Sequence, residues 1–168
     1  MKLKTLNDLF VDSIKDLYSA ENQLTKALGK MAKKASAPEL KQSFEQHLAE
    51  TDKQKERLEQ IAEILDITPK GKKCAAMEGL ITEAEELISE VKEPEVLDAA
   101  LIGASQKVEH YEIAGYGTAA TFAKLLDNQE VLDLLLETLQ EEKATDAKLT
   151  ELAENIVNEK AAQVDDEE

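Results

Sequence analysis

Apolar residues along this chain recur at alternating steps of three and four, in stretches far longer than any strand, with few interruptions. That rhythm confines the chain to long amphipathic helices whose apolar stripes must be buried against one another. The interruptions divide it. Thr5-Leu6-Asn7-Asp8 reads as an N-cap with an acid at the third helical position, and Ser36-Ala37-Pro38-Glu39 carries a capping-box pattern with an early proline. Asp66-Ile67-Thr68-Pro69-Lys70-Gly71 stops the second helix, Pro94 opens a later one, and Asp127-Asn128-Gln129-Glu130 offers a cap for the last. Helices are therefore expected at about 6–35, 37–65, 74–91, 94–126 and 129–160, in one domain over 1–168, with the tail from Val164 frayed.

The order long, long, short, long, long bears on topology. A bundle whose second and third long helices run parallel needs an extended crossover, and Asp66 to Glu93 can supply one. The expected class is all-α: a ferritin-like four-helix bundle with a long crossover containing a short fifth helix. An up-down bundle with an appended fifth helix is the alternative.

Lys and Arg number 20 against 36 Asp and Glu, a net charge of −16, so the summed field repels phosphate backbones and anionic lipid heads. No nucleic acid or membrane partner is expected; divalent cations suit the field. Cys74 is the lone cysteine and implies no oxidising compartment. The basic start is interrupted by Asp8, Asp12 and Asp16, and no apolar run reaches about 18 residues. A soluble, unprocessed, cytoplasmic protein is expected.

The informative positions are those where an apolar seam breaks. In the first helix the seam runs Phe10, Ile14, Leu17, Glu21, Leu24, Leu28, Met31, with one acid in its middle. In the last it runs Leu132, Leu135, Leu139, Glu142, Asp146, Leu149, Ala153, Ile156. The second helix has apolar ends and a polar middle of His47, Thr51 and Gln54, with Glu50 beside it. The helix at 94–126 has two usable faces, one through Leu101, Val108, Tyr111 and Gly115, the other through Ile102, Ser105, Glu109, Glu112 and Tyr116. It is expected to be buried on both sides, against the bundle and against either the crossover helix or a second subunit.

At 1.5 Å per residue, Glu21, Glu50, Glu109 and Glu142 each lie about 20–24 Å from the start of their helices, near the midpoints. With helix ends aligned, all four meet at one level. Burying carboxylates costs several kcal/mol per ion, against a total stability of about 5–15 kcal/mol. No Lys or Arg occupies these seams, which leaves shared protons or bound cations as compensation. Oxygen ligands with one imidazole suit iron or manganese, and glutamates on facing helices can bridge two ions.

Five segments in order, Leu17-Tyr18-Ser19-Ala20-Glu21, His47-Leu48-Ala49-Glu50-Thr51, Lys73-Cys74-Ala75-Ala76-Met77-Glu78-Gly79-Leu80, Gln106-Lys107-Val108-Glu109-His110-Tyr111-Glu112-Ile113 and Glu141-Glu142-Lys143-Ala144-Thr145-Asp146, resemble the bacterial YciF proteins of the ferritin-like superfamily. The resemblance covers almost the whole chain. It implies a four-helix bundle with a crossover, a homodimer, a dinuclear site like that of rubrerythrin with two metal ions per chain, and a link to bacterial stress responses. By that resemblance Glu21, Glu50, Glu109, Glu112 and Glu142 match metal ligands.

The Glu-x-x-His pattern common at such sites is broken here, since Lys53 follows Glu50 and Thr145 follows Glu142 at that offset. His47, one turn before Glu50, and Asp146, one turn after Glu142, are the substitutes. Ionised together, the six acids would carry −6 against +4 from two divalent ions, so this ligand set predicts that the oxidised pair is the more stable.

Tyr18 and Tyr116 each stand one turn from a proposed ligand, where packing or a hydrogen bond to the ligand explains them. Gln54 and His110 are candidates for the same supporting role, although Glu109 and Glu112 point away from His110. Gly115 and Gly117 cost helix stability, about 1 kcal/mol each, which predicts close helix approach near the site. Cys74 and Met77 are expected in the core. No residue is singled out as catalytic. The expected function is redox handling of iron, or of a small oxidant such as oxygen or peroxide; the alternative is an acidic helical interaction or structural protein.

Overall fold

The computed structural model describes residues 3–164. Residues 165–168, within the tail expected to fray, lie outside the described residues. Four long helices, α1 (Leu6–Lys34), α2 (Pro38–Ile64), α4 (Pro94–Leu125) and α5 (Gln129–Leu152), make the bundle, and α3 (Ala75–Glu90) lies within the α2–α4 connection. A π-helical turn (Ala153–Val157) and a short α6 (Asn158–Ala161) end the chain's described part. Among the described residues no helix is long and apolar enough to cross a membrane.

Direction follows from side-chain pairs. Gln46 meets Lys148, Gln54 meets Glu141 and Arg57 meets Thr138, so α2 and α5 are antiparallel. Tyr18 meets Glu59 and Gln106 meets Thr150, giving the same for α1–α2 and α4–α5. The C-terminal end of α1 meets the start of α4, through Ser36 and Asp98, and Gly115 meets Leu17 at mid-helix. Each helix thus neighbours antiparallel partners, while α2 and α4 stand across the bundle from one another and run parallel. That arrangement requires the crossover and excludes the up-down alternative. α3 packs on α4 and α1, covering the second face of α4.

The helix ends show where local signals hold. Thr5 accepts from Asp8 N at 3.0 Å while the Asp8 carboxylate takes Thr5 N, a complete capping box. Asn128 caps α5 through Val131 N at 3.2 Å. The Ser36 pattern behaves differently: Ala37 is the cap residue and no side chain of its own segment closes the helix. Asp98 of α4 does so, accepting from Ser36 N at 2.8 Å, Ala37 N at 2.8 Å and Ser36 Oγ at 2.6 Å. Asp98 is buried, so Asp98→Ala leaves two backbone donors and a hydroxyl unpaired. We expect urea unfolding to register a loss of about 2–3 kcal/mol.

α2 and α4 stop before any proline or glycine, at Asp66 and Asp127, whose φ values of 51° and 53° turn the chain back. In the last helix the expected seam shifts. The π turn inserts an extra residue per turn, so Val157 is buried where Ile156 was expected. Gly115 bears out the close-approach expectation, since a Cβ there would lie 2.9 Å from Leu17 Cδ2; Gly117 does not, having open space at that position.

Two apolar cores result. One gathers Leu24, Leu28, Phe44, Leu101 and Leu149, with Cys74 and Met77 from the crossover. The other gathers Phe10, Ile14, Leu17, Leu58, Ala120 and Leu135. Between them lies a polar layer.

Candidate metal centre

Each long helix brings its seam break to this layer. Glu21 from α1, His47 from α2, Glu109 and Glu112 from α4, and Glu142 from α5 are all buried, the four glutamates to 0% exposure. His47, Glu109, Glu112 and Glu142 each offer a ligand atom within 4.8 Å of the others. Glu21 joins their edge, held by the Tyr116 hydroxyl, which donates to its Oε1. Ser105, whose hydroxyl approaches Glu109 Oε1 at 3.5 Å, and Thr51 are buried with them.

Burial governs its electrostatics. It pushes the Glu21 carboxyl up to about 8, with the nearby Glu142 adding to the shift and the Tyr116 hydrogen bond opposing it. Glu142 is pushed up to about 7, again chiefly by burial. Glu109 and Glu112 are raised well above the carboxylate range by burial and then by their acidic neighbours. His47 is lowered to about 4 by burial and then by Lys148, so its ring is neutral. Its approaches, Nδ1 to Glu109 Oε1 at 3.4 Å and Nε2 to Glu142 Oε2 at 4.0 Å, are therefore not ion pairs.

Satisfaction is incomplete here. Among the described residues, every buried side-chain nitrogen or oxygen lacking a hydrogen-bond partner belongs to this layer: both nitrogens of His47, both oxygens of Glu112 and Glu142, and one atom each of Glu21, Thr51, Gln54 and Glu109. Buried polar atoms are ordinarily paired, and one concentrated group of orphans marks a place for something else to bind. Acid oxygens and a neutral imidazole with free nitrogens fit a hard or borderline metal ion.

Other predicted residues lie farther out. Glu50 is half-buried and accepts from Gln46 Nε2 at 3.2 Å, outside the close cluster. Asp146 is half-buried and pairs away from the cluster, accepting from Gln106 Nε2 at 3.2 Å and facing His110 Nε2 at 3.2 Å; the His110 side chain is 69% exposed. Tyr18 donates to Glu59 Oε1 at 2.7 Å, away from the layer. Gln54 reaches Glu141 at 3.0 Å, leaving its own carbonyl oxygen unpaired within the layer.

The four buried glutamates alone carry −4 when ionised, a charge that two divalent ions match, whereas Glu50 and Asp146 lie at the periphery of this cluster. Thr51 and Ser105 stand at the site without having been among the expected site residues, as does Arg57 nearby, which clamps α2 to α5 through Thr138, Glu137 and Glu141. Thr51 and Ser105 carried a usable signal, sharing the faces of His47 and Glu109.

Comparison with known proteins places the chain in a family. The family described as a domain of unknown function, DUF892, matches residues 5–162. Protein YciF of Escherichia coli K12 is 54% identical over 162 residues, covering 96% of this chain and 98% of the relative. The crystal structure of the E. coli stress protein YciF superposes with a TM-score of 0.89, over 93% of this chain and 99% of that one. YcfI of Rhodopseudomonas palustris, provisionally described as a structural protein, gives 0.87 at 44% identity, over 89% and 95% of the two chains. A Xanthomonas campestris protein gives 0.75 at 25% identity, over 95% and 99%.

Proposed function

This chain belongs to the DUF892 family, and on that footing we propose that its buried layer holds a pair of iron or manganese ions for redox handling of iron, oxygen or peroxide in a bacterial stress response. The concentration of unpaired donors in one layer carries the reading. A bound pair would supply one-electron exchange with a small oxidant.

The chain's own residues have separable tasks. His47 offers a neutral imidazole at a pH where solvent-exposed histidines begin to protonate. Tyr116 stays protonated, since burial and the adjacent carboxylates raise it, and it fixes Glu21 by donating to Oε1. Burial favours the protonated forms of Glu21, Glu109, Glu112 and Glu142 in the metal-free chain, and ligation would displace those protons. The apolar cores above and below exclude bulk water and hold the four helices in register.

A structural reading competes: Glu21 and Glu142 sit near 8 and 7, so the layer can share protons without metal, and one relative is provisionally described as structural. Metal stoichiometry separates the two. The metal reading requires about two ions per chain, lost together in Glu142→Ala; a chain that takes up none overturns it.

A further inference from the structure

The surface between α2 and α5 is indented as far as His47, at the edge of the buried layer. A cavity of about 100 Å³ is bounded there by Ser43, His47 and Glu50 from α2 and by Ala144, Thr145 and Lys148 from α5. Its floor is His47, 2% exposed, with both ring nitrogens unpaired. Serine, alanine and threonine are short, and their positions at the seam leave the throat that longer side chains would fill.

The same seam is shut further along. Gln54 donates to Glu141 at 3.0 Å, and Arg57 donates to Thr138 at 2.6 Å and to Glu141 at 2.9 and 3.1 Å. Size alone does not select the opening. A larger cavity of about 370 Å³ on the α1–α4 side, beside Asp16, Lys72, Tyr111 and Thr118, is lined by none of the clustered donors.

A chain of hydrogen bonds crosses the α2–α5 mouth. Lys148 Nζ donates to Gln46 Oε1 at 2.7 Å, and Gln46 Nε2 donates to Glu50 Oε1 at 3.2 Å. The ammonium is thereby tethered at the rim of a narrow cavity whose floor is His47. A fixed charge at such a constriction acts on incoming ions and leaves neutral molecules alone. Glu50 stands between solvent and the inner cluster, where an arriving cation would meet its first carboxylate.

Resting on the metal reading above, we propose that the mouth between α2 and α5 is the entry route to the buried layer and that Lys148 is its electrostatic gate, slowing cations while passing small neutral oxidants. Both parts are open to measurement on the full-length, metal-free chain. Cobalt(II) uptake, followed by its visible absorption, reports cation entry. Paramagnetic relaxation of the His47 ring by dissolved oxygen reports neutral entry without any metal, with exposed His110 as the reference.

Lys148→Met should speed cobalt uptake about five-fold at low salt, with the gain shrinking as salt screens the ammonium, and should leave oxygen relaxation unchanged. Ala144→Phe, at an exposed rim position, should slow cobalt uptake and weaken relaxation of His47 but not of His110. Thr118→Leu, in the larger cavity, should alter neither. If Ala144→Phe leaves both readouts at wild-type values, the route is overturned; if Lys148→Met leaves uptake unchanged, the gate is overturned. A wild-type chain that binds no cobalt, yet whose His47 is shielded from oxygen by Ala144→Phe, sinks the metal reading and supports the route.

Discussion

Raising the pH of the metal-free protein from about 5 to about 8.5 is expected to destabilise it substantially. Glu21 and Glu142 have folded values of about 8 and 7 against an ordinary 4.5, so the native state holds their protons more tightly than the unfolded chain does. That contribution is fully present below about 4.5 and disappears as pH climbs through 7 and 8, where the native layer must ionise without a counter-charge. Each unit of displacement is worth about 1.4 kcal/mol, and the coupled layer places the total on the order of 5 kcal/mol. Other groups set the acid limit. Burial raises Asp16, but bonds from Tyr111 and Cys74 and the Lys72 charge outweigh it and hold it low, so its contribution is lost as pH falls below 4. Urea titrations in chelator should therefore show an optimum near pH 5. A profile flat or rising between 6 and 8.5 contradicts the electrostatics described here, and adding metal should reverse the slope because ligation requires deprotonated carboxyls.

Glu112→Leu should separate stability from function. Both Glu112 oxygens are buried without partners, surrounded by Glu21, Glu109 and Glu142. Replacing a buried acid by an apolar side chain of similar volume removes a desolvated, mutually repelling group, and such replacements are neutral to stabilising by about 1–4 kcal/mol. The metal-free variant should thus melt higher than wild type at pH 8, by an amount that shrinks at pH 5. The same change should weaken metal binding at least about 100-fold, through loss of a ligand. A variant less stable at pH 8, with metal binding unchanged, would assign Glu112 an ordinary packing role. The opposed outcomes express the expected exchange of stability for a site.

The acids at the centre were legible because seam position and helix depth are both local arithmetic. Glu21, Glu109 and Glu142 interrupt otherwise apolar stripes, and a break in a stripe is visible without knowing what faces it. Glu50 lies beside its stripe rather than on it, and the structure accordingly leaves it half-buried at the mouth. Asp146 continues the seam by count, yet it bonds outward to Gln106 and faces His110, a partner choice set by neighbours on another helix. The helix order likewise anticipated the crossover, since a short amphipathic element between long ones is a linear feature. Asp98 was not legible: the donors it caps lie 61 and 62 residues away, and Ser36 carried a local capping pattern that this tertiary contact replaced. Lys148 and Arg57 escaped for the same reason, because a gate or clamp exists only once α2 and α5 face each other.

On the proposed function, the layer formed by Glu21, His47, Glu109, Glu112 and Glu142 is built around metal. Elemental analysis of the protein purified from its native host, paired with melting in the presence and absence of a strong chelator, tests it most directly. About two iron or manganese ions per chain are expected, with a large fall in melting temperature when they are stripped at pH 8. A metal-free protein whose melting temperature the chelator leaves unchanged would contradict it.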